Sequence, residues 1–294
     1  MNIQKLYNYI VKRNILILKK AGKKIDERIF IAILLVIAIM PAILKLLLGF
    51  TTRTTLILTF VYLGSVLSIP SLLYESKIER FERNIPKALY VMILSLESGR
   101  SVIDAINEVI NSDIREVDVI FSKVIVLMTE RKLSFEDAML IVSNSIDSRI
   151  FRQLGRLIIE NRKYGGELAT TLKTLAKTLE DLQNLKAQLS SITANGLAVG
   201  LIILCGVIPA TAGLIGGYLS ILSQLTSSMP PISHDQIARA VEVIQLGTGI
   251  FGLLFSIPLF GIKLNRMVIT CAFCMTFGIT AFYGTLYLSG VLFS

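Results

Sequence analysis

The stretch "ENRKYGGELATTLKTLAKTLEDLQ", from Glu160 to Gln183, shows the helical pattern most clearly. A short basic turn leads to a glycine pair, and a leucine-rich run follows. The leucines are separated by alternating steps of four and three residues, which places them on one face of a helix. They are Leu168, Leu172, Leu175, Leu179 and Leu182. This face is either part of a bundle core or the seam of a dimer, and the core is favoured because fewer than four regular heptads are present.

Long apolar segments lie on both sides of this stretch. The chain of 294 residues is 53% hydrophobic and 17% charged, with a mean hydropathy of +0.67, whereas soluble domains carry about 25% charged residues. A helix needs about 20 apolar residues to cross a bilayer. Uncharged blocks of about this length occupy residues 29–44, 56–73, 196–222, 243–262 and 267–293. We therefore predict an all-α integral membrane protein with about five transmembrane helices.

The charged residues divide the chain into segments. Residues 1–28 form a basic segment with eight Lys and Arg against two acidic residues, and residues 29–74 hold two predicted spans. Residues 75–195 carry 17 basic and 17 acidic residues, and residues 196–294 hold three predicted spans. Cytoplasmic loops are the ones rich in Lys and Arg. We expect a multi-pass protein of the cell membrane with its N-terminus and residues 75–195 in the cytoplasm and its C-terminus outside.

Residues that could support catalysis or metal binding are sparse. The net charge of +9 comes from the N-terminal segment and the span ends, while residues 75–195 are neutral overall, so nucleic-acid binding is not expected. Cys205, Cys271 and Cys274 fall within predicted spans without a histidine to complete a metal site, so we expect them to pack. His234 has no accompanying nucleophile motif. We expect neither enzyme activity nor a cofactor.

The polar segment between the second and third spans is predicted to be a compact bundle of six helices. Its apolar residues recur every three or four positions, with no strand-like alternation. The predicted helices are residues 76–98, bent near Pro86, and then 101–111, 114–130, 134–145, 148–163 and 167–195. The last helix has no proline before the third span and is expected to continue into it. A solenoid of helical hairpins is the alternative, because related phrases recur every 33 residues.

The three recurring phrases are "GRSVIDAI", "KLSFEDAM" and "GGELATTL", which begin at Gly99, Lys132 and Gly165. The first two contain a serine followed three residues later by an aspartate, which is a typical start of a helix. The third contains a glycine pair. We expect Gly99, Gly165 and Gly166 to form structural turns, because glycine accepts a left-handed backbone or a close helix approach.

The predicted spans contain features relevant to packing and transport. Gly213 and Gly217 form a small-xxx-small pair, which lets helices approach closely, either within the protein or with a partner helix. Pro209 and Pro258 predict kinks in their spans. No acidic residue accompanies these prolines, as an ion-coupled transporter would require. A polytopic transporter or channel with a cytoplasmic regulatory helical domain is nevertheless the alternative function.

The polar segment resembles a known family. "NIPKALYVMILSLESGRSVIDAI", "RKLSFEDAM" and "LGRLIIENRKYGGELATTLKTLAKTLED" are similar to the opening, middle and closing phrases of the type II secretion F domain, from Arg83 to about Ser191. The family comprises membrane platform proteins of type II secretion systems, type IV pili, tight-adherence pili and archaeal pili or archaella. With one domain copy and five predicted spans, this chain is closer to the tight-adherence and archaeal types. Its composition, rich in Ile and Lys, fits an archaeal origin.

The resemblance implies a scaffold and not an enzyme. The helical domain would contact a cytoplasmic hexameric secretion ATPase, and the membrane part would receive pilin-like subunits during filament assembly. The single domain copy implies a homodimer or a pairing with a second platform subunit, and membrane lipid is a further partner. The expected ATPase contacts lie in two exposed basic turns, with Arg131 and Lys132 in the first and Arg162 and Lys163 in the second.

Overall fold

A computed structural model describes residues 11–23, 26–48, 51–162, 165–225, 233–261 and 263–292. These residues form helices and no strand, which confirms the all-α fold class. The helical periodicity of the apolar residues explains this result, because a half-buried strand would need alternating apolar and polar residues.

Eleven α-helices are formed within the described residues. In chain order they are α1 (Arg13–Ala21), α2 (Glu27–Leu48), α3 (Thr52–Glu97), α4 (Val102–Asn111), α5 (Val117–Arg131), α6 (Phe135–Ser145), α7 (Arg149–Asn161), α8 (Gly165–Ile202), α9 (Ile208–Leu225), α10 (His234–Phe260) and α11 (Leu264–Leu292). A π-helical turn, Ile203–Val207, joins α8 to α9. Pro209 explains this wider turn, because proline has no N–H to bond the carbonyl four residues earlier.

Four helical segments of the described residues are long and apolar enough to cross a membrane. They are Thr52–Glu97, Leu168–Ser223, Asp235–Pro258 and Leu264–Ser289. These segments overlap the second to fifth predicted spans, so the chain is a multi-pass membrane protein. The first predicted span lies in α2, a helix of 22 residues, and its assignment as a span remains a prediction.

The chain forms two compact units. One, Glu75–Leu189, is called the helical unit here, and the other, Met1–Tyr74 with Ser190–Ser294, is called the apolar unit. Both α3 and α8 contribute residues to each unit, and both are continuous helices. The expected continuation of the last bundle helix toward the third span is therefore present in α8. The cytoplasmic and membrane placement of the predicted segments remains a prediction.

One apolar core holds the helical unit together. Helices α4 to α7 pack in sequence, each against the next, and α3 and α8 complete the core. At its centre, Phe151 of α7 lies edge-to-face against Phe81 of α3 and Phe121 of α5, with ring centroids 5.1 and 5.7 Å apart. All three rings are almost fully buried. A shared core of this kind is that of a bundle, whereas in a solenoid each repeat contacts only its neighbours.

Two helices of the unit begin at the serines that the sequence singled out. The backbone N–H of Asp104 donates to Ser101 Oγ, and the Asp104 carboxylate accepts from the Ser101 N–H, which completes a capping box at α4. The N–H of Asp137 likewise donates to Ser134 Oγ at the start of α6. These side chains satisfy amides that have no partner within the helix.

A third serine cap fastens α7 to α3. Ser148 Oγ accepts from the Phe151 N–H and donates to Glu82 Oε1 over 2.6 Å. Ser148 is fully buried. The cap therefore starts α7 and also fixes its position beside α3, next to the ring contact between Phe151 and Phe81.

The helix bounds differ from the predicted ones by a few residues at several places, and two of the differences concern a predicted bend or turn. The predicted helix 76–98 is the last part of α3, which begins at Thr52 and continues through Pro86 without a break. Helix α8 begins at Gly165, two residues before the predicted start, so Gly165 and Gly166 lie in its first turn and not in a loop before it. Such shifts are common because terminal amides lack intrahelical partners.

The leucine face of α8 changes its surroundings along the helix. Leu168 and Leu172 are fully buried in the core of the helical unit, and Leu179 is 8% exposed. Leu175 packs partly buried against the same core, but Leu182 is 54% exposed. The bundle-core interpretation therefore holds as far as Leu179, where the face leaves the core.

Close helix packing in the apolar unit depends on glycine. Helix α11 packs against both α9 and α10. A Cβ atom added at Gly213 would overlap the carbonyl oxygen of Phe282, and one added at Gly217 would lie 2.6 Å from Ser289 Cβ. The predicted small-xxx-small face is thus used for packing within the protein, where it lets the backbones of α9 and α11 approach.

The glycine contact gives a testable prediction. We expect Gly217→Ala to destabilise the apolar unit by about 1–3 kcal/mol, because the new methyl group overlaps Ser289. Gly247→Ala is the matched control, since an added Cβ there meets no atom within 4 Å and alanine favours the helix over glycine. Thermal unfolding of the detergent-solubilised chain should give a lower midpoint only for Gly217→Ala. Equal midpoints for the two variants would contradict the close contact.

Candidate functional site

The first basic turn joins α5 to α6 on the helical unit. Arg131 is the last residue of α5, and Lys132 follows with a left-handed backbone, φ 54°. Both side chains are exposed. Within the described residues neither forms a hydrogen bond or an ion pair. Two cations at the end of a packed helix are therefore available to an external partner.

The second basic turn is bound to the start of α6. Arg162 Nη1 donates to Glu136 Oε1 over 2.7 Å, and its guanidinium carbon lies 4.8 Å from the centroid of the Phe135 ring. The Arg162 side chain is 36% exposed. Arg162 is therefore a packed residue with a structural contact, as well as a surface cation.

These contacts bring the two basic turns to the same end of the helical unit. Glu136 and Phe135 follow Lys132 by only a few residues in the chain, so the end of α7 lies beside the α5–α6 turn. Arg131, Lys132 and Arg162 are called the basic turn surface below. Lys163, the fourth predicted contact, lies outside the described residues.

Two other surface cations of the helical unit are paired. Arg80 and Glu116 form an ion pair of 3.1 Å, and Arg100 and Glu108 form one of 3.0 Å. These exposed pairs contribute little stability, about 0–1 kcal/mol each. Arg131 and Lys132 have no such ion pair within the described residues.

The turn before α4 has the glycine that the sequence predicted. Gly99 has φ 82°, a left-handed conformation that glycine adopts without steric cost. Beyond it, hydrogen bonds from the Ser101 side chain and backbone hold the pKa of the Asp104 carboxyl below its usual value. The carboxylate half of the cap is therefore complete above the ordinary carboxyl pKa and is lost as the pH falls through the lowered value in the folded protein, while the bond from the Asp104 N–H to Ser101 Oγ does not depend on ionisation.

The cysteines do not form a metal site in the described part of the chain. Cys205, Cys271 and Cys274 are buried free thiols, and the described residues contain no group of three His, Cys, Asp or Glu able to hold a metal ion. Cys274 packs instead against α10, with its sulfur 3.2 Å from the place of an added Cβ at Gly252. This placement agrees with a packing role.

Sequence reasoning missed a groove on the outer face of α7. It is open, has a volume of about 240 Å³ and is lined by Arg149, Arg152, Gln153 and Arg156. Positions i, i+3, i+4 and i+7 share one helix face, so the spacing was a usable signal. Residues 75–195 carry equal numbers of basic and acidic residues. Their net charge of zero therefore did not reveal this local cluster of arginines.

Comparison with known proteins gives the family. A family model described as "Type II secretion system (T2SS), protein F" matches residues 88–216, which include most of the helical unit and the beginning of the apolar segment after it. The uncharacterized protein MJ0779 of Methanocaldococcus jannaschii is 51% identical over 292 residues, which cover 98% of each chain. No solved structure matches the chain.

The Arg162 contacts can be tested by substitution. We expect Arg162→Gln to destabilise the packing of the end of α7 against the start of α6 by about 0.5–2 kcal/mol, because it removes an ion pair and a cation–π contact. Arg131→Gln, at an exposed and unpaired position, should change stability by less than about 0.5 kcal/mol. Hydrogen–deuterium exchange of the α6 amides in the full chain should increase only in the Arg162 variant. Unchanged exchange there would show that the contacts are not maintained in solution.

Proposed function

The chain belongs to the type II secretion system protein F family, whose members are structural platform proteins of the membrane, and from this we propose its role in a machine. It couples a cytoplasmic hexameric ATPase to the insertion or extraction of pilin-like subunits and so to filament assembly or secretion. The observation that supports the proposal most directly is the pair of exposed, unpaired cations Arg131 and Lys132 on a well-packed helical unit within the matched residues.

The helical unit has the properties of a reversible docking domain. Its core is closed and apolar, so its shape does not depend on a partner. Its surface carries balanced charges, with the unpaired cations Arg131 and Lys132 at one end. Charged contacts at an exposed surface tune the rate and specificity of association more than its strength. A motor that binds and releases during each ATP cycle requires contacts of this kind.

Two long helices connect the helical unit to predicted spans. Helices α3 and α8 each combine residues of the helical unit with an apolar stretch able to cross a membrane. We propose that a displacement of the helical unit is passed along these helices to the membrane segments that receive pilin-like subunits.

The proposed orientation rests on the distribution of Lys and Arg. Residues 1–28 and 75–195 carry most of these residues, which favours the cytoplasmic side for both. ATP is present on that side. A homodimer or a second platform subunit belongs to the same proposal, and the exposed part of the α8 leucine face from Leu182 onward offers an apolar surface for it.

The ATPase contact is tested at the free cations. We expect Arg131→Glu with Lys132→Glu to weaken binding of the hexameric secretion ATPase of the same organism by about tenfold or more, because two attractive charges become repulsive. The readout is co-purification and fluorescence-monitored titration with the detergent-solubilised chain. Arg162 is unsuitable for this test, since its substitution also disturbs the contacts with Phe135 and Glu136.

The matched control reverses two other exposed lysines, Lys123→Glu with Lys177→Glu, which changes the net charge equally. Binding of the control should stay within about twofold of the wild type. If the Arg131 and Lys132 variant binds as well as the control and still assembles filaments, the proposed contact is wrong. Substrate flux into liposomes that contain the chain without any ATPase would instead support the transporter alternative.

A further inference from the structure

Helix α7 has two faces of opposite character. Phe151, Leu154 and Ile158 point into the core and are almost completely buried. The opposite face lines the open groove with Arg149, Arg152, Gln153 and Arg156, called the arginine groove below. The buried face and the Ser148 cap fix the helix in place, so these polar side chains project from a rigid support.

The arginines of this groove have no anionic partner in the described residues. None of their side chains forms an ion pair or a hydrogen bond there, although Asp147 and Glu160 lie close by in the chain. The Nε atom of Arg152 is buried and has no hydrogen-bond partner. A buried donor that has lost its water without gaining an acceptor is unfavourable. A ligand oxygen at this position would remove the deficit.

The helix terminus adds to the positive potential. Arg149 and Arg152 lie in the first turns of α7, and its first turn contains no acidic residue. The N-terminal end of a helix already carries a partial positive charge, so cations there reduce stability while anions increase it. Arg149 and Arg152 therefore add to the positive potential at this end of α7, which an external anion would neutralise.

We propose that the arginine groove binds a carboxylate-rich segment of a partner protein. Arg149 and Arg156 are seven residues apart, or about 10 Å along the helix, which exceeds the reach of one small anion and matches a row of carboxylates. The guanidinium fork binds a carboxylate through two parallel hydrogen bonds, and the groove contains arginine and no lysine. Gln153 supplies both a donor and an acceptor for the peptide backbone of the same segment.

The surroundings favour protein over the other polyanions. Helix α7 exposes no large apolar side chain, whereas a helix that lies on a lipid surface inserts such residues into it. It exposes no aromatic ring either, so the groove has no platform on which the bases of a single strand would stack. This inference goes beyond the proposed function, because it concerns the ligand chemistry of a second surface whichever partner carries the acidic segment.

The experiment uses the full chain in neutral detergent and a fluorescent glutamate-rich peptide, with a glutamine-substituted peptide as the uncharged comparison.

The test variant is Arg149→Gln, Arg152→Gln and Arg156→Gln combined. The matched control is Lys123→Gln, Lys177→Gln and Lys186→Gln combined, which neutralises three exposed cations elsewhere on α5 and α8. Anisotropy titrations should show salt-sensitive binding of the acidic peptide to the wild type, a loss of about tenfold or more in the test variant, and a change below about twofold in the control.

A third variant separates binding from folding. Replacing the three arginines by lysine keeps the charge but removes the guanidinium fork, and we expect affinity between that of the wild type and the glutamine variant. Equal peptide affinity in the wild type and the glutamine variant would overturn the proposal. So would arginine-dependent binding of inorganic phosphate, phosphatidylglycerol vesicles or duplex DNA that is tighter than peptide binding. The peptide assay contains no ATPase, so its failure would leave the test of the basic turn surface unaffected.

Discussion

The contact of Phe151 with Phe81 and Phe121 is the constraint on which the helical unit depends. The three rings come from α7, α3 and α5, which are distant in the chain, and they meet edge-to-face in the centre of the core. Such aromatic pairs bury much apolar area and have a preferred geometry. Together with the Ser148 contact to Glu82, they fix both the position and the rotation of α7. The rotation directs one face into the core and turns the arginine groove outward, and the position places Arg162 beside the start of α6.

The apolar unit depends on a different constraint. Its helices approach until their backbones are in contact, because glycine has no side chain to keep them apart. Without a hydrophobic driving force between helices in lipid, close packing of small residues holds spans together. Gly213 and Gly217 of α9 give this contact with α11. Gly249 of α10 lies against Met275, which is also in α11. Helix α11 therefore has small-residue contacts on two sides. The glycines that the sequence offered for a partner helix are used within the chain.

The bundle helices and the second to fifth spans could be predicted because their signals are local. Apolar periodicity located the four short helices α4 to α7 to within a few residues, and the serines at positions 101 and 134 marked two helix starts correctly. Features that depend on tertiary contacts could not be found in this way. Neither the partner of Arg162 on α6 nor the cap that joins Ser148 to Glu82 follows from spacing along the chain. The arginine groove was missed for a related reason, since a neutral total charge conceals how the charges are arranged on a folded surface.

The central claim is that the α5–α6 turn of the helical unit meets a cytoplasmic motor. The most direct measurement places a photo-crosslinking amino acid at Lys132 in cells that assemble the machine, with irradiation followed by mass spectrometry of the product. The proposed contact predicts a light-dependent crosslink between position 132 and the hexameric ATPase. It would be contradicted if position 132 crosslinked only to lipid or to proteins outside the cell, or if a membrane-impermeant reagent labelled a cysteine at that position in intact cells.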